Sequence, residues 1–159
     1  MKIILPLLGK TKEQYLGAGI DDFAVRLRRF VQLDLPVLKE KKNAAKEDTA
    51  RQQNEEGQIL LGSVSQSGGA AKVVALAPAG QQLSSEELAD LLCRWEDQGV
   101  REVAFLIGGP TGLAPELIHK ADYVLSLSRM TFTHEMARLL VLEQLYRAFS
   151  IKAGTGYHK

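Results

Sequence analysis

Apolar positions along the chain recur with two different periods, and the switches between them outline the elements. Lys2 to Leu8 is an almost unbroken aliphatic run that stops at Gly9-Lys10, which predicts a buried first strand closed by a turn. Ile20, Phe23, Ala24, Leu27, Phe30 and Val31 then recur at helical spacing, with Arg26, Arg28 and Arg29 on or beside the polar face. Leu33 to Leu38 alternates around Pro36, the signature of a short strand near a sheet edge, because proline cannot donate to a central ladder. Glu40 to Glu56 is dense in charge, so it predicts a mobile connection into a solvated helix that gains an apolar face only at Ile59, Leu60 and Val64. Ser63 to Ala70 reads as a Ser/Gly-rich loop.

Lys72 to Ala77 predicts a second buried strand, ended by Pro78-Ala-Gly80. Ser84-Ser-Glu-Glu87 offers a capping box for a helix to about Gln98, with Leu88, Leu91, Leu92 and Trp95 on one face and Gly99 as the stop. Arg101 to Ile107 is the next strand, Pro115 to Ala121 a short helix and Tyr123 to Leu127 another strand. Thr133 is placed to cap a long last helix whose apolar stripe includes Met136, Leu139, Leu140, Leu145, Tyr146 and Phe149. Strands alternating with helices predict an α/β fold with a mostly parallel sheet and helices on both faces.

Composition narrows the setting. A chain of 159 residues, 45% hydrophobic and 25% charged, fits one domain over residues 1–159 that folds without metals or disulfides. No apolar run approaches the roughly 20 residues needed to span a bilayer, and the N-terminal run lacks the length and cleavage site of a signal peptide, so the expected location is cytoplasmic with no membrane partner. Cys93 is the only cysteine, which excludes an internal disulfide and a multi-cysteine zinc site. A net charge of +1 argues against gripping naked nucleic acid by bulk electrostatics.

The loops carry the candidate chemistry. Gly108-Gly-Pro-Thr-Gly112 follows a strand, yet it has neither the Gly-Lys-Ser/Thr ending of a phosphate loop nor the Gly-x-Gly-x-x-Gly dinucleotide fingerprint. Its glycines suit equally a tight structural turn or one whose backbone closely approaches a flat ligand. No metal site is expected, since His119, His134 and His158 are far apart and lack carboxylates at ligand spacing. A Gly-x-Ser-x-Gly nucleophile elbow is also missing. His134 stands out because it falls in the first turn of the last helix, where backbone amides favour an anionic group.

Several of these motifs occur together in a known family. Leu106-Ile-Gly-Gly-Pro-Thr-Gly-Leu113, Leu125-Ser-Leu-Ser-Arg-Met-Thr-Phe132, His134 with Arg138, Glu143 to Phe149 and the terminal Tyr157-His-Lys159 resemble, in order and over essentially the full length, the RlmH family. These are S-adenosylmethionine-dependent SPOUT methyltransferases acting on N3 of a pseudouridine in large-subunit ribosomal RNA. The resemblance implies a C-terminal trefoil knot and a homodimer that completes each site. It also implies cofactor contacts from Leu76, Gly108, Leu127, Ser128, Arg129, Met130, Thr131 and Phe132. Thr133 stands where the family commonly has proline, and Leu8 where it has a smaller residue.

Within that reading, His134 and His158 are candidates for the base that takes the N3 proton or for an orienting group, and Arg138 and Tyr157 for binding phosphate or orienting the target base. From Arg129 to Lys159, Arg129, Arg138, Arg147, Lys152 and Lys159 outnumber Glu135 and Glu143, a positive bias at the site end, while the weak charge of the whole favours a structured surface such as the assembled ribosome over a free strand. The rival readings are a SPOUT enzyme with another RNA target and a non-enzymatic nucleotide-binding module.

Overall fold

The computed structural model describes residues 1–40, 48–65 and 71–157. The first apolar run is cut by Pro6 into β1, Lys2–Ile4, and β2, Leu7–Leu8. After α1, Gln14–Leu27, Pro36 divides the next run in the same way into β3, Gln32–Asp34, and β4, Val37–Leu38. Backbone bonds carry the pairing across both interruptions, Leu5 N to Asp34 O and Leu7 N to Pro36 O. The remaining elements are α2, Thr49–Ser65; β5, Lys72–Gln82; α3, Ser85–Asp97; β6, Glu102–Leu106; α4, Pro115–Lys120; β7, Tyr123–Ser126; and α5, His134–Lys152.

Five strands form one sheet in the order β3-β1-β6-β5-β7, and every pairing is parallel; β2 and β4 make a second, two-stranded parallel piece. The mostly parallel α/β expectation therefore holds. Parallel strands are buried on both faces, and two apolar clusters result. Ile3, Val103 and Phe105 pack with Ile20, Leu92, Leu142 and Leu145, so α1, α3 and α5 cover one face. Ile4, Ala104 and Leu106 pack with Leu60, Val64 and Leu117, so α2 and α4 cover the other.

Three sequence expectations change. β5 does not stop at Ala77: after a register shift between Leu76 and Gln81 it pairs again with β7, Gln81 opposite Leu125. Gly80 permits this, because a Cβ there would lie 2.7 Å from the Leu125 carbonyl carbon. The helix predicted from Ile20 begins at Gln14 and ends at Leu27. Its start lacks a side-chain cap of its own and is capped instead from α5, where Glu135 accepts the amides of Lys12 and Glu13.

The third change concerns α2. It runs through Ser65, and its contacts begin before Ile59, for Glu56 is already 1% exposed. The predicted connection falls largely on residues 41–47, and most of the predicted Ser/Gly loop on residues 66–70, both outside the described residues. The predicted capping box is present: Ser84 Oγ accepts from Glu87 N at 3.1 Å, and Glu87 Oε2 from Ser84 N at 2.7 Å.

Candidate active site

Because β6, β5 and β7 are adjacent and parallel, their carboxyl ends come together at one edge of the sheet, where open α/β folds bind ligands. A cleft of about 430 Å³ opens there. Leu76, Ala77 and Pro78 form one wall, the turn from Gly108 to Leu113 a second, and the loop from Leu127 to Phe132 a third, with His134 and Ala137 of α5 at the base.

The glycine turn is closed on itself. Gly112 has φ +82° and donates to Gly109 O at 3.0 Å, and the two residues form an antiparallel bridge. A Cβ on Gly108 would lie 2.3 Å from the Gly112 carbonyl carbon, so only glycine fits. The facing loop is held by its serines. Ser126 Oγ donates to Ser128 O at 2.9 Å, and Ser128 Oγ accepts from Met130 N at 3.0 Å. At its end Thr133 Oγ1 accepts from Met136 N, the predicted cap. Met130 and Phe132 are left 74% and 38% exposed at the cleft, apolar surface free to cover a flat ligand.

The residues expected at a cofactor all line this cleft except Arg129, which lies exposed on the same loop. Of the four expected in catalysis, His134 lines it. Burial pushes its imidazole below the usual 6.5, and the charge of Arg138 pushes the same way against Glu135 and Glu40. Arg138 is absent from the lining and only 2% exposed. Its guanidinium donates to Leu8 O, to Gly9 O at 3.3 Å and to Thr11 Oγ1 at 3.2 Å, so it ties α5 to the loop after β2. Tyr157 packs at the opposite end of α5, 4.6 Å from the Tyr146 ring and with Arg147 4.9 Å from its own ring centre. His158 lies outside the described residues.

The positive bias counted along the sequence is mostly neutralised inside the fold. Arg138 is buried on carbonyls, Arg147 pairs with Glu143 at 2.7 Å, and Lys152 pairs with Glu96. Arg129 stays exposed, and Lys12 is near enough for its charge to act on His134.

Ala77, Pro78 and Ile118 also line the cleft and were not singled out as site residues from sequence. Pro78 looked like a strand terminator, and nothing local announces that β5 resumes after it. No group of three or more His, Cys, Asp or Glu able to hold a metal occurs among the described residues.

The cleft, walled by a glycine turn and a serine-held loop, lies where open α/β folds place small-ligand sites. Comparison with known proteins gives its class. The profile described as "Predicted SPOUT methyltransferase" matches residues 1–158, and the chain belongs to that family. It is 46% identical over 159 residues, all of both chains, to the ribosomal RNA large subunit methyltransferase H of Desulfotalea psychrophila. It is 41% identical over 162 residues, again all of both chains, to the protein of that name from Clostridioides difficile. The fold is also similar to a probable methylase family protein from Haemophilus influenzae, at TM-score 0.54 and 15% identity, covering 99% of this chain and 70% of that one.

Proposed function

We propose that this protein is an S-adenosylmethionine-dependent methyltransferase that methylates N3 of a pseudouridine in large-subunit ribosomal RNA. The observation that carries the reading is the cleft at the carboxyl ends of β5, β6 and β7 in a chain of the SPOUT family. Its lining suits the cofactor: Leu76, Ile118, Met130 and Phe132 supply apolar surface for a flat base, and the loops after the strand ends bring backbone close to it. When bound, S-adenosylmethionine supplies an electrophilic methyl group.

Transfer breaks the S–CH3 bond, forms N3–CH3, leaves a neutral thioether and releases the N3 proton to a base. The chain's part is to hold the reacting atoms in line and exclude water. His134 is the base of the proposed reaction. Burial keeps its imidazole neutral at physiological pH and therefore able to accept the proton, and Thr133 fixes the helix turn that presents it. Arg138 contributes by anchoring the Leu8 to Thr11 loop beside that turn.

The working enzyme is a homodimer. From His134 to Lys152 α5 spans about 27 Å at ~1.5 Å per residue, which carries the chain's own tail away from its own cleft. Tyr157 and His158 of the partner subunit are assigned to the cleft, to orient the target base, with Arg129 and Lys12 meeting RNA phosphates. The modest net charge favours the assembled ribosome over free RNA, and the ribosome places the enzyme in the cytoplasm. Incubating the protein with labelled S-adenosylmethionine and either ribosomes or protein-free ribosomal RNA tests this. Label on one pseudouridine, far stronger in ribosomes, is expected; no transfer to either substrate refutes the reading.

A further inference from the structure

A buried carboxyl that the mechanism above does not use stands behind the glycine turn that walls the cleft. Glu56 of α2 is 1% exposed. Its Oε1 accepts from Gln52 Nε2 at 3.0 Å, whereas its Oε2 has no hydrogen-bond partner among the described residues. A Cβ placed on Gly109 would lie 2.7 Å from Oε2 and 3.1 Å from Oε1, so the carboxyl closes onto the turn through the space that glycine leaves empty.

Gly109 lines the cleft and Glu56 does not. The carboxyl therefore acts across the backbone of the turn, not by touching a ligand. The helix is fixed in that register: Gln53 Nε2 donates to Thr111 O at 2.5 Å, and Gly57 faces Leu117 and Ala114.

A buried acidic group with an open acceptor is costly to a fold unless a positive charge compensates it, and no ion pair to Glu56 occurs among the described residues. Resting on the cofactor reading above, we infer that Glu56 is a specificity-determining residue whose negative charge, acting across Gly109, favours the sulfonium form of the cofactor over the neutral thioether product. The charge it complements disappears when the methyl group leaves sulfur. The same group that favours loading of the cofactor then ceases to favour the spent product, which assists exchange after each transfer.

Calorimetry with S-adenosylmethionine and S-adenosylhomocysteine, on the unmodified dimer and on Glu56→Gln, tests this. A unit charge about 12 Å away at an effective dielectric constant of about 20 shifts affinity by roughly tenfold, and a nearer one by more. Glu56→Gln is accordingly expected to bind S-adenosylmethionine about tenfold more weakly and S-adenosylhomocysteine within about twofold of the unmodified protein. Loss of both affinities in equal proportion marks a merely structural role and overturns the inference, as does no change in either.

If the variant fails to fold, salt on the unmodified protein is the second measurement. At ~1 M salt the screening length is about 3 Å, so a preference for S-adenosylmethionine set by a buried charge persists, and its disappearance overturns the inference. Absence of S-adenosylmethionine binding by the unmodified protein overturns the cofactor reading itself. Binding with an unaltered ratio in Glu56→Gln overturns only the role of Glu56.

Discussion

Gly108→Ala is the most diagnostic single substitution in the cleft. Its Cβ would stand 2.3 Å from Gly112 C, 2.5 Å from Leu113 N and 2.6 Å from Gly112 O, all backbone atoms. Non-bonded carbons prefer ~3.5–4.0 Å, so the two arms of the turn must part by more than about 1 Å. That motion breaks the Gly112 N to Gly109 O bond and the bridge. Overpacking of this kind costs ~1–3 kcal/mol, and the lost hydrogen bond adds about 1 kcal/mol.

Shared between folding and ligand binding, a total of ~2–4 kcal/mol predicts a melting point lowered by several degrees and S-adenosylmethionine affinity reduced by about 10- to 100-fold. Calorimetry gives the affinity and thermal unfolding the stability. Gly109→Ala is the internal control, because its Cβ meets the Glu56 carboxyl, a side-chain end, at 2.7 Å, and the milder loss is expected there. Gly108→Ala with unchanged melting point and unchanged affinity would refute the steric argument.

Other substitutions separate stability from chemistry. Arg138→Met removes the donor shared by the Leu8 and Gly9 carbonyls and should cost about 3 kcal/mol in urea unfolding, with Arg138→Lys between the two; equal midpoints for all three would contradict the anchoring role. The His134 imidazole is held below 6.5 in the fold by burial first and Arg138 second. The folded state thus binds fewer protons than the unfolded chain: stability from this group is complete above pH 6.5 and is lost as pH falls through the depressed folded value. His134→Gln should flatten that acid-side loss in pH-dependent unfolding, and an unchanged slope would deny it. Gly62 sits inside α2 with nothing within 4 Å of the place a methyl group would take, so Gly62→Ala should raise stability by ~0.5–1 kcal/mol.

Local chemistry made much of this fold readable. The capping box at Ser84, the Thr133 cap and the positive φ of Gly99 all depend on residues within a few positions of one another. The seven expected cofactor positions that do line the cleft were reached through a family resemblance, not through periodicity. What stayed hidden is tertiary. The start of α1 is capped by Glu135 from more than a hundred residues away, β5 resumes beyond Pro78 because β7 receives it, and Arg138 turns inward to carbonyls that only the folded loop presents. Glu56 shows the same limit: a charge-rich segment reads as solvated until Gly109 supplies the space that buries it.

Mass mapping of large-subunit ribosomal RNA from cells lacking this protein is expected to show one pseudouridine without its N3 methyl group. The methyl group should return with the unmodified gene and not with one encoding Gly108→Ala. A complete set of methylated pseudouridines in the deletion strain would contradict the proposed function.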